Sequence, residues 1–241
     1  MTERVADRPG LKTAGEDAAW NALRERVVIS LRPIGAPTSI GFFGLAAASL
    51  TLTGLQFGWV PQVEGKHLAL VLIGFVFPAQ LLTAIFGFLG RDGTAATAMA
   101  TLALTWLVVG LVLYTSTPGA TSPGLGLFLL FAGTAMGLSG LTAALSKLVP
   151  AVVFLLASTR FFLTGGYHLT GGTGWKVAGG YVGILLFVVA VYAAWASELE
   201  DATGRTVLPL GRRGKGKVAV TGSLLEQVKD VTTEPGVREQ L

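Results

Sequence analysis

The chain has 241 residues, of which 51% are hydrophobic and only 13% are charged, and its net charge is +4. Soluble domains carry about a quarter charged residues, so this composition excludes a soluble or disordered chain and indicates an integral membrane protein. The chain has no cysteine, which excludes a disulfide scaffold, a cysteine-ligated metal site and a cysteine nucleophile.

We expect residues 1–32 to form a cytoplasmic N-terminal tail. Its first part, Met1–Lys12, is polar and contains no apolar core of the kind found in a secretory signal peptide. Farther along the tail, Trp20, Leu23, Val27 and Leu31 recur near helical spacing, which predicts a short amphipathic helix over Asp17–Arg32. This helix would lie on the inner membrane surface or pack against the ends of the membrane-spanning helices.

Residues 33–211 form the predicted transmembrane domain, because six apolar stretches there are long enough to cross a bilayer. They lack the period-two alternation of barrel strands, so we predict an all-α integral membrane protein. A glycine-rich loop is predicted over 165–174, between the last two spans. The predicted spans are Ser39–Leu55, His67–Leu89, Thr94–Tyr114, Gly124–Leu145, Leu148–Leu163 and Trp175–Ser197.

The basic residues predict the orientation of these spans. Most of the 18 Lys and Arg residues lie near the two ends of the chain, and an even number of spans places both ends on one side. Arg91 and Lys147 lie in short loops on that same side, whereas the opposite side receives only Lys66 and Lys176. The positive-inside rule therefore predicts cytoplasmic termini. Residues 212–241 form a basic and then mixed-charge cytoplasmic tail, for which we expect disorder with a short helix near Ser223–Lys229.

Arg160 is the one charged residue well inside a predicted span, and no span contains an acidic residue. Burying such a charge in a membrane is unfavourable, so it faces a water-filled path or a polar partner. One hypothesis is that Arg160 attracts anions to a conduction path. The other is that its side chain extends to the membrane surface past the nearby Gly165 and Gly166.

Other chemistry has little support in the sequence. His67 and His168, the only histidines, predict no metal site, because no further ligands accompany them. No cofactor motif or Ser-His-Asp arrangement is present, and the basic residues lack the interleaved aromatic residues of a nucleic-acid interface. Two small-residue faces, over 133–140 and 179–183, predict close helix packing, within the chain or between copies.

The last span and its exit resemble the acetate uptake transporter family, which comprises bacterial succinate–acetate permeases and their fungal relatives. The resemblance is carried by Ala178–Gly183, Tyr192 and the string Gly-Arg-Thr-Val-Leu-Pro-Leu-Gly at 204–211. Further matches lie earlier in the chain, at Pro37, Phe43, Gly44, Gln80 and Trp106.

The resemblance implies a hexamer of six-helix subunits in the bacterial cytoplasmic membrane, each with its own narrow path. It places the constriction at Phe43, Leu102 and either Leu155 or Leu156. The family carries Tyr where this chain has Leu102, so the implied constriction is wholly apolar, and such a ring favours protonated or small neutral species. Gln80, Arg160 and Tyr192 are the candidate substrate-binding residues.

The leading hypothesis for function is channel-like transport of acetate or a similar short monocarboxylate, with or without a coupled proton. The alternative is a channel for another small neutral solute, which the substituted Tyr position favours. A membrane-embedded enzyme would need clustered His, Asp or Glu residues, which are missing, so we expect no enzymatic activity. A non-transporting membrane protein that binds a partner remains a fourth hypothesis.

Overall fold

The computed structural model describes residues 35–222, except for the side chain of Lys215. The predicted N-terminal amphipathic helix over Asp17–Arg32 and the predicted helix over Ser223–Lys229 lie outside these residues. Within the described part, six helices are long and apolar enough to span a membrane, so the all-α six-span architecture is confirmed. They are α1 (Thr38–Phe57), α2 (Gln62–Leu89), α3 (Gly93–Thr115), α4 (Pro123–Ala143), α5 (Leu148–Thr170) and α6 (Thr173–Thr203).

Two spans are clearly longer than predicted: α6, which runs to Thr203 rather than to Ser197, and α5, which extends into the glycine-rich segment 165–174. We predicted a loop, but α5 continues to Thr170, and only Gly171 and Gly172 separate it from α6. Gly165 and Gly166 serve close packing instead: a Cβ on Gly165 would lie 3.0 Å from the Gly126 carbonyl oxygen, and one on Gly166 would lie 3.0 Å from the Trp175 ring. The helix ends where Gly171 adopts a left-handed conformation, with φ of +69°.

Helix α2 contains a π-helical turn over Leu72–Val76, near the middle of the span. Pro78 follows directly and has no backbone N–H to donate to the turn before it. A locally wider turn relieves the clash between a proline ring and the carbonyl four residues earlier. The sequence did not lead us to predict this turn.

Both small-residue faces pack within the chain. On α4, a Cβ on Gly133 would lie 3.2 Å from the Phe162 ring and from the Ser158 carbonyl oxygen, so α4 and α5 approach closely. On α6, a Cβ on Gly180 would lie 2.7 Å from the Phe57 ring of α1. The interpretation of these motifs as intramolecular packing devices is therefore confirmed.

The segment after α6 is attached to the start of α5. The Leu148 N–H donates to the Gly211 carbonyl at 3.1 Å, and the Val149 N–H donates to the Leu210 carbonyl at 3.2 Å. The expected disorder from residue 212 onward is wrong for the first part of that tail, because α7 (Gly214–Thr221) follows. The reason is that Arg212 finds a partner: its Nε donates to Glu200 Oε2 at 3.0 Å.

An ion pair joins the loop between α2 and α3 to the loop between α4 and α5. Lys147 Nζ lies 2.9 Å from Asp92 Oδ2. Burial alone would raise the pKa of the Asp92 carboxyl, but the charge and hydrogen bond of Lys147 lower it below its usual range. The pair is therefore ionised at neutral pH, and its contribution to stability is lost only as the pH falls through that lowered value.

Candidate functional site

A cavity of about 110 Å³ lies among α1, α3, α4 and α5, under the loop that joins α3 to α4. Its walls are largely apolar and include Val109, Leu125, Leu129 and Phe161. The titratable groups that line it are Arg160, Tyr167, His168 and Lys176, with no Asp or Glu among the lining residues. The cavity is thus an apolar chamber whose fixed charge is positive, which favours an anion over a cation.

Arg160 lies at the buried end of this cavity and is only 2% exposed. Its Nη1 donates to the Ser49 carbonyl at 3.1 Å, and its Nη2 donates to Gln56 Oε1 at 3.2 Å. Both partners are on α1 and neither carries a charge. The hypothesis that Arg160 extends to the membrane surface is wrong, because α5 runs ten residues farther to Thr170, about 15 Å at 1.5 Å per residue.

Gly183 provides the space for the guanidinium. A Cβ built at this position of α6 would collide with Arg160 Nη1 and with Thr53 Oγ1. The hydroxyl of Thr53 and the guanidinium of Arg160 are therefore neighbours above the same glycine. The sequence indicates only a helix-packing role for Gly183. Its role beside Arg160 depends on α6 facing α1 and α5, which the sequence does not show.

Three buried polar groups on α1 and α3 lack a hydrogen-bond partner among the described residues. Trp106 lines the cavity and its ring lies 5.3 Å from the ring of Phe161, yet its indole N–H has no hydrogen-bond acceptor. The Ser49 and Thr53 hydroxyls are also buried and have no partner among the described residues. Because buried polar groups are nearly always hydrogen-bonded, these three have hydrogen-bonding capacity available for a solute or a water molecule.

The four residues predicted to form the constriction occupy different environments. Phe43 lies with Ile40 and Leu50 on the exposed side of α1, and is 36% exposed. Leu155 packs against Gly140 of α4 and is 38% exposed, while Leu102 is fully buried. Leu156 is half-buried against the core. The constriction at these residues stays a prediction, and none of the four lines the cavity.

Two of the constriction candidates, Phe43 and Leu155, each have a neighbour in the sequence that faces inward. Phe42, beside Phe43, is 1% exposed, and so is Phe154, beside Leu155. Their ring centroids lie 6.2 Å apart. Both belong to the same buried cluster as Leu102, and these three residues are called here the apolar layer. Its two rings stand one residue away from the predicted Phe43 and Leu155.

The other two binding candidates lie away from the cavity. Gln80 is fully buried, and its Nε2 donates to the Gly41 carbonyl at 3.2 Å while its Oε1 has no partner. The Tyr192 hydroxyl donates to the Pro209 carbonyl at 3.0 Å, which attaches the exit segment to α6. A substrate-binding role for Gln80 or Tyr192 stays a prediction.

His168 is a helix residue rather than a loop residue. It lies on α5 at the mouth of the cavity, and its Nδ1 accepts the Ser122 N–H at 3.1 Å. This bond places the ring proton on Nε2 in neutral His168. The other histidine, His67, pairs with Glu64. No group of three His, Cys, Asp or Glu residues that could hold a metal occurs in the part of the chain that the structure describes.

Comparison with known proteins gives a match in structure but none in sequence. No protein-family model and no curated protein matches the chain. A solved structure of the bacterial acetate channel SatP superposes on 74% of this chain and 99% of that chain, with a TM-score of 0.66 and 21% identity. The chain has the SatP fold. The six-helix architecture implied by the family resemblance is therefore confirmed.

The sequence singled out Arg160 because it is the one charge inside a span. It gave no comparable signal for Gln56, Thr53 or Lys176, which the fold brings to the same region. Trp106 was recognised as a matching position without a role. A helical-wheel projection would group Thr53 and Gln56 on one side of α1, but only the packing shows that this side meets Arg160.

Proposed function

We propose that this protein is a channel-like transporter for acetate or a similarly short monocarboxylate across the bacterial cytoplasmic membrane. The observation that carries the proposal is the cavity that ends at Arg160, a buried cation with no carboxylate partner among residues 35–222. A transported carboxylate would supply the missing negative charge. The likeness in fold to a bacterial acetate channel supports the same conclusion.

The second candidate function, a channel for a small neutral solute, is favoured by the apolar layer of Phe42, Phe154 and Leu102. Such a layer excludes water and opposes the passage of a bare anion. A carboxylate that crosses as the neutral acid would satisfy both features, because the anion is gathered at Arg160 and the protonated form crosses the layer. Proton co-transport is therefore part of the proposal.

Acetate uptake into proteoliposomes tests this function. We expect Arg160→Gln to lower the initial rate about tenfold at low ionic strength, where a fixed charge attracts anions most strongly. Arg160→Lys restores part of the rate, since attraction needs the charge more than the guanidinium shape. Lys66→Gln removes an exposed charge outside the cavity and is the matched control.

Two results would contradict the proposal. Arg160→Gln could transport acetate like the parent at every salt concentration. Alternatively, the parent could transport acetamide, the neutral analogue, as fast as acetate. The second result would favour the neutral-solute channel. Comparing uptake with and without an imposed pH gradient tests the coupled proton.

Cytoplasmic termini are also part of the proposal. Ala120 and Ala202 are both exposed but lie at opposite ends of the helices, and the chain has no cysteine of its own. On intact cells we expect an impermeant maleimide to label Ala120→Cys and to spare Ala202→Cys until the membrane is permeabilised. The reverse pattern would place the termini outside.

The hexamer implied by the family resemblance remains a proposal as well. Phe131 and Leu138 of α4 are each more than 60% exposed, as residues facing lipid or a second copy would be. Native mass spectrometry of the purified protein measures the number of subunits directly.

A further inference from the structure

We propose that Arg160, Thr53 and Trp106 form a binding site for a single carboxylate, called here the carboxylate site. The inference rests on the proposed function and deepens it, because it names the residues that hold the solute before it crosses. Arg160 and Trp106 line the cavity and are each 2% exposed, whereas the Thr53 hydroxyl lies beside the Arg160 guanidinium without lining the cavity.

The first argument is charge. Arg160 donates to a backbone carbonyl and to a side-chain amide, and neither neutralises it. In the described part of the chain, Glu64, Asp92, Glu198, Glu200 and Asp201 are the acidic residues, and all lie at the ends of the helices. A buried cation without a counter-ion is costly, so an anion gains more by binding here than at the surface.

The second argument is the set of unpaired donors. The indole N–H of Trp106 can only donate a hydrogen bond, and the Thr53 hydroxyl beside the guanidinium can also donate one. A carboxylate accepts hydrogen bonds and donates none, and it has two oxygens to share among such donors. Hydrogen bonds between a guanidinium and a carboxylate are among the strongest in proteins.

The third argument is selectivity. The cavity holds about 110 Å³, and Leu129 and Phe161 line it with apolar surface that suits a short alkyl tail. A dicarboxylate would place its second charge against these apolar walls, where no second cation lies at the buried end to receive it. The site therefore accepts acetate and propionate and rejects succinate, while a neutral amide lacks the charge that Arg160 needs.

The test measures binding without transport. Carboxyl-¹³C acetate is titrated onto the full chain in nanodiscs, and the protein-dependent broadening of its NMR line reports occupancy. We expect propionate to displace acetate, whereas acetamide and succinate leave the broadening unchanged. Arg160→Gln weakens binding at least about tenfold, as expected for the loss of a charge-assisted pair. Lys66→Gln, which removes an exposed charge outside the cavity, retains the parental binding.

Thr53→Val is the variant that separates binding from folding. The hydroxyl it removes has no partner, so the exchange leaves thermal stability at or above that of the parent. We expect it to weaken acetate binding severalfold. Unchanged binding in both Arg160→Gln and Thr53→Val, or equal displacement by acetamide or succinate, would overturn the inference.

The same variants distinguish this inference from the proposed function. If Arg160→Gln abolishes binding but leaves acetate flux unchanged, the carboxylate site stands and conduction through it does not. If Arg160→Gln lowers flux while binding persists, the carboxylate site is wrong and the proposed function survives.

Discussion

Gly183→Ala is expected to reduce acetate uptake to about a tenth of the parental rate, through the loss of a correctly placed charge. The added Cβ would collide with both Arg160 Nη1 and Thr53 Oγ1. The guanidinium would have to leave its position between α1 and α6, away from the Ser49 carbonyl and Gln56. Initial uptake rates in proteoliposomes, normalised to folded protein by size-exclusion chromatography, measure the effect.

The matched control is Gly174→Ala on the same helix, where a Cβ meets nothing within 4 Å. We expect its uptake to equal that of the parent. The double variant Gly183→Ala with Arg160→Gln should be no slower than Arg160→Gln alone, because both changes disable the same group. Additive losses would show that Gly183→Ala acts through general helix displacement.

Phe42→Ala is expected to raise acetate flux severalfold and to admit longer monocarboxylates such as butyrate. Phe42 packs against Phe154 in the apolar layer, and removing its ring opens space there. An apolar constriction opposes passage by excluding water, so a wider one conducts faster. Uptake of acetate and butyrate by the same preparation gives both the rate and the selectivity.

Phe43→Ala is the natural comparison, since it deletes an identical side chain one residue farther along α1. Phe43 lies on the exposed side of that helix, so we expect its removal to change neither rate nor selectivity. The family resemblance favours the opposite outcome, with Phe43 at the constriction. A selectivity change in Phe43→Ala alone would support that placement and exclude Phe42.

The pair Phe42 and Phe43 shows why the helices could be predicted from the sequence, whereas the side chains that face the interior could not. Hydropathy and length predicted all six spans, because a bilayer imposes the same requirement on each of them. An alignment can assign either of two adjacent phenylalanines to the constriction. Their side chains nevertheless point about 100° apart, because a helix has 3.6 residues per turn. Which of them faces inward depends on the neighbouring helices, and no property of a single span records this.

Glycines caused one of the two large errors in helix length; the other concerns α6, which extends to Thr203 rather than to Ser197. In a soluble protein, paired glycines such as Gly165 and Gly166 often end a helix, because they lose more backbone freedom than other residues. Within a membrane the helix persists, since an exposed peptide group has no water to bind. The missing side chains then allow contact with the Gly126 carbonyl and with Trp175. The same residue type therefore predicts different structure in the two solvents.

The attachment of α5 to the segment after α6 also bears on the order of synthesis. Helix α5 begins without a side-chain cap, and the N–H groups of Leu148 and Val149 bond to the carbonyls of Gly211 and Leu210 instead. Those carbonyls are made some sixty residues later. The first two N–H groups of the helix that carries Arg160 therefore gain their acceptors only after the last span has been translated, and a chain truncated before residue 210 would leave both without these acceptors.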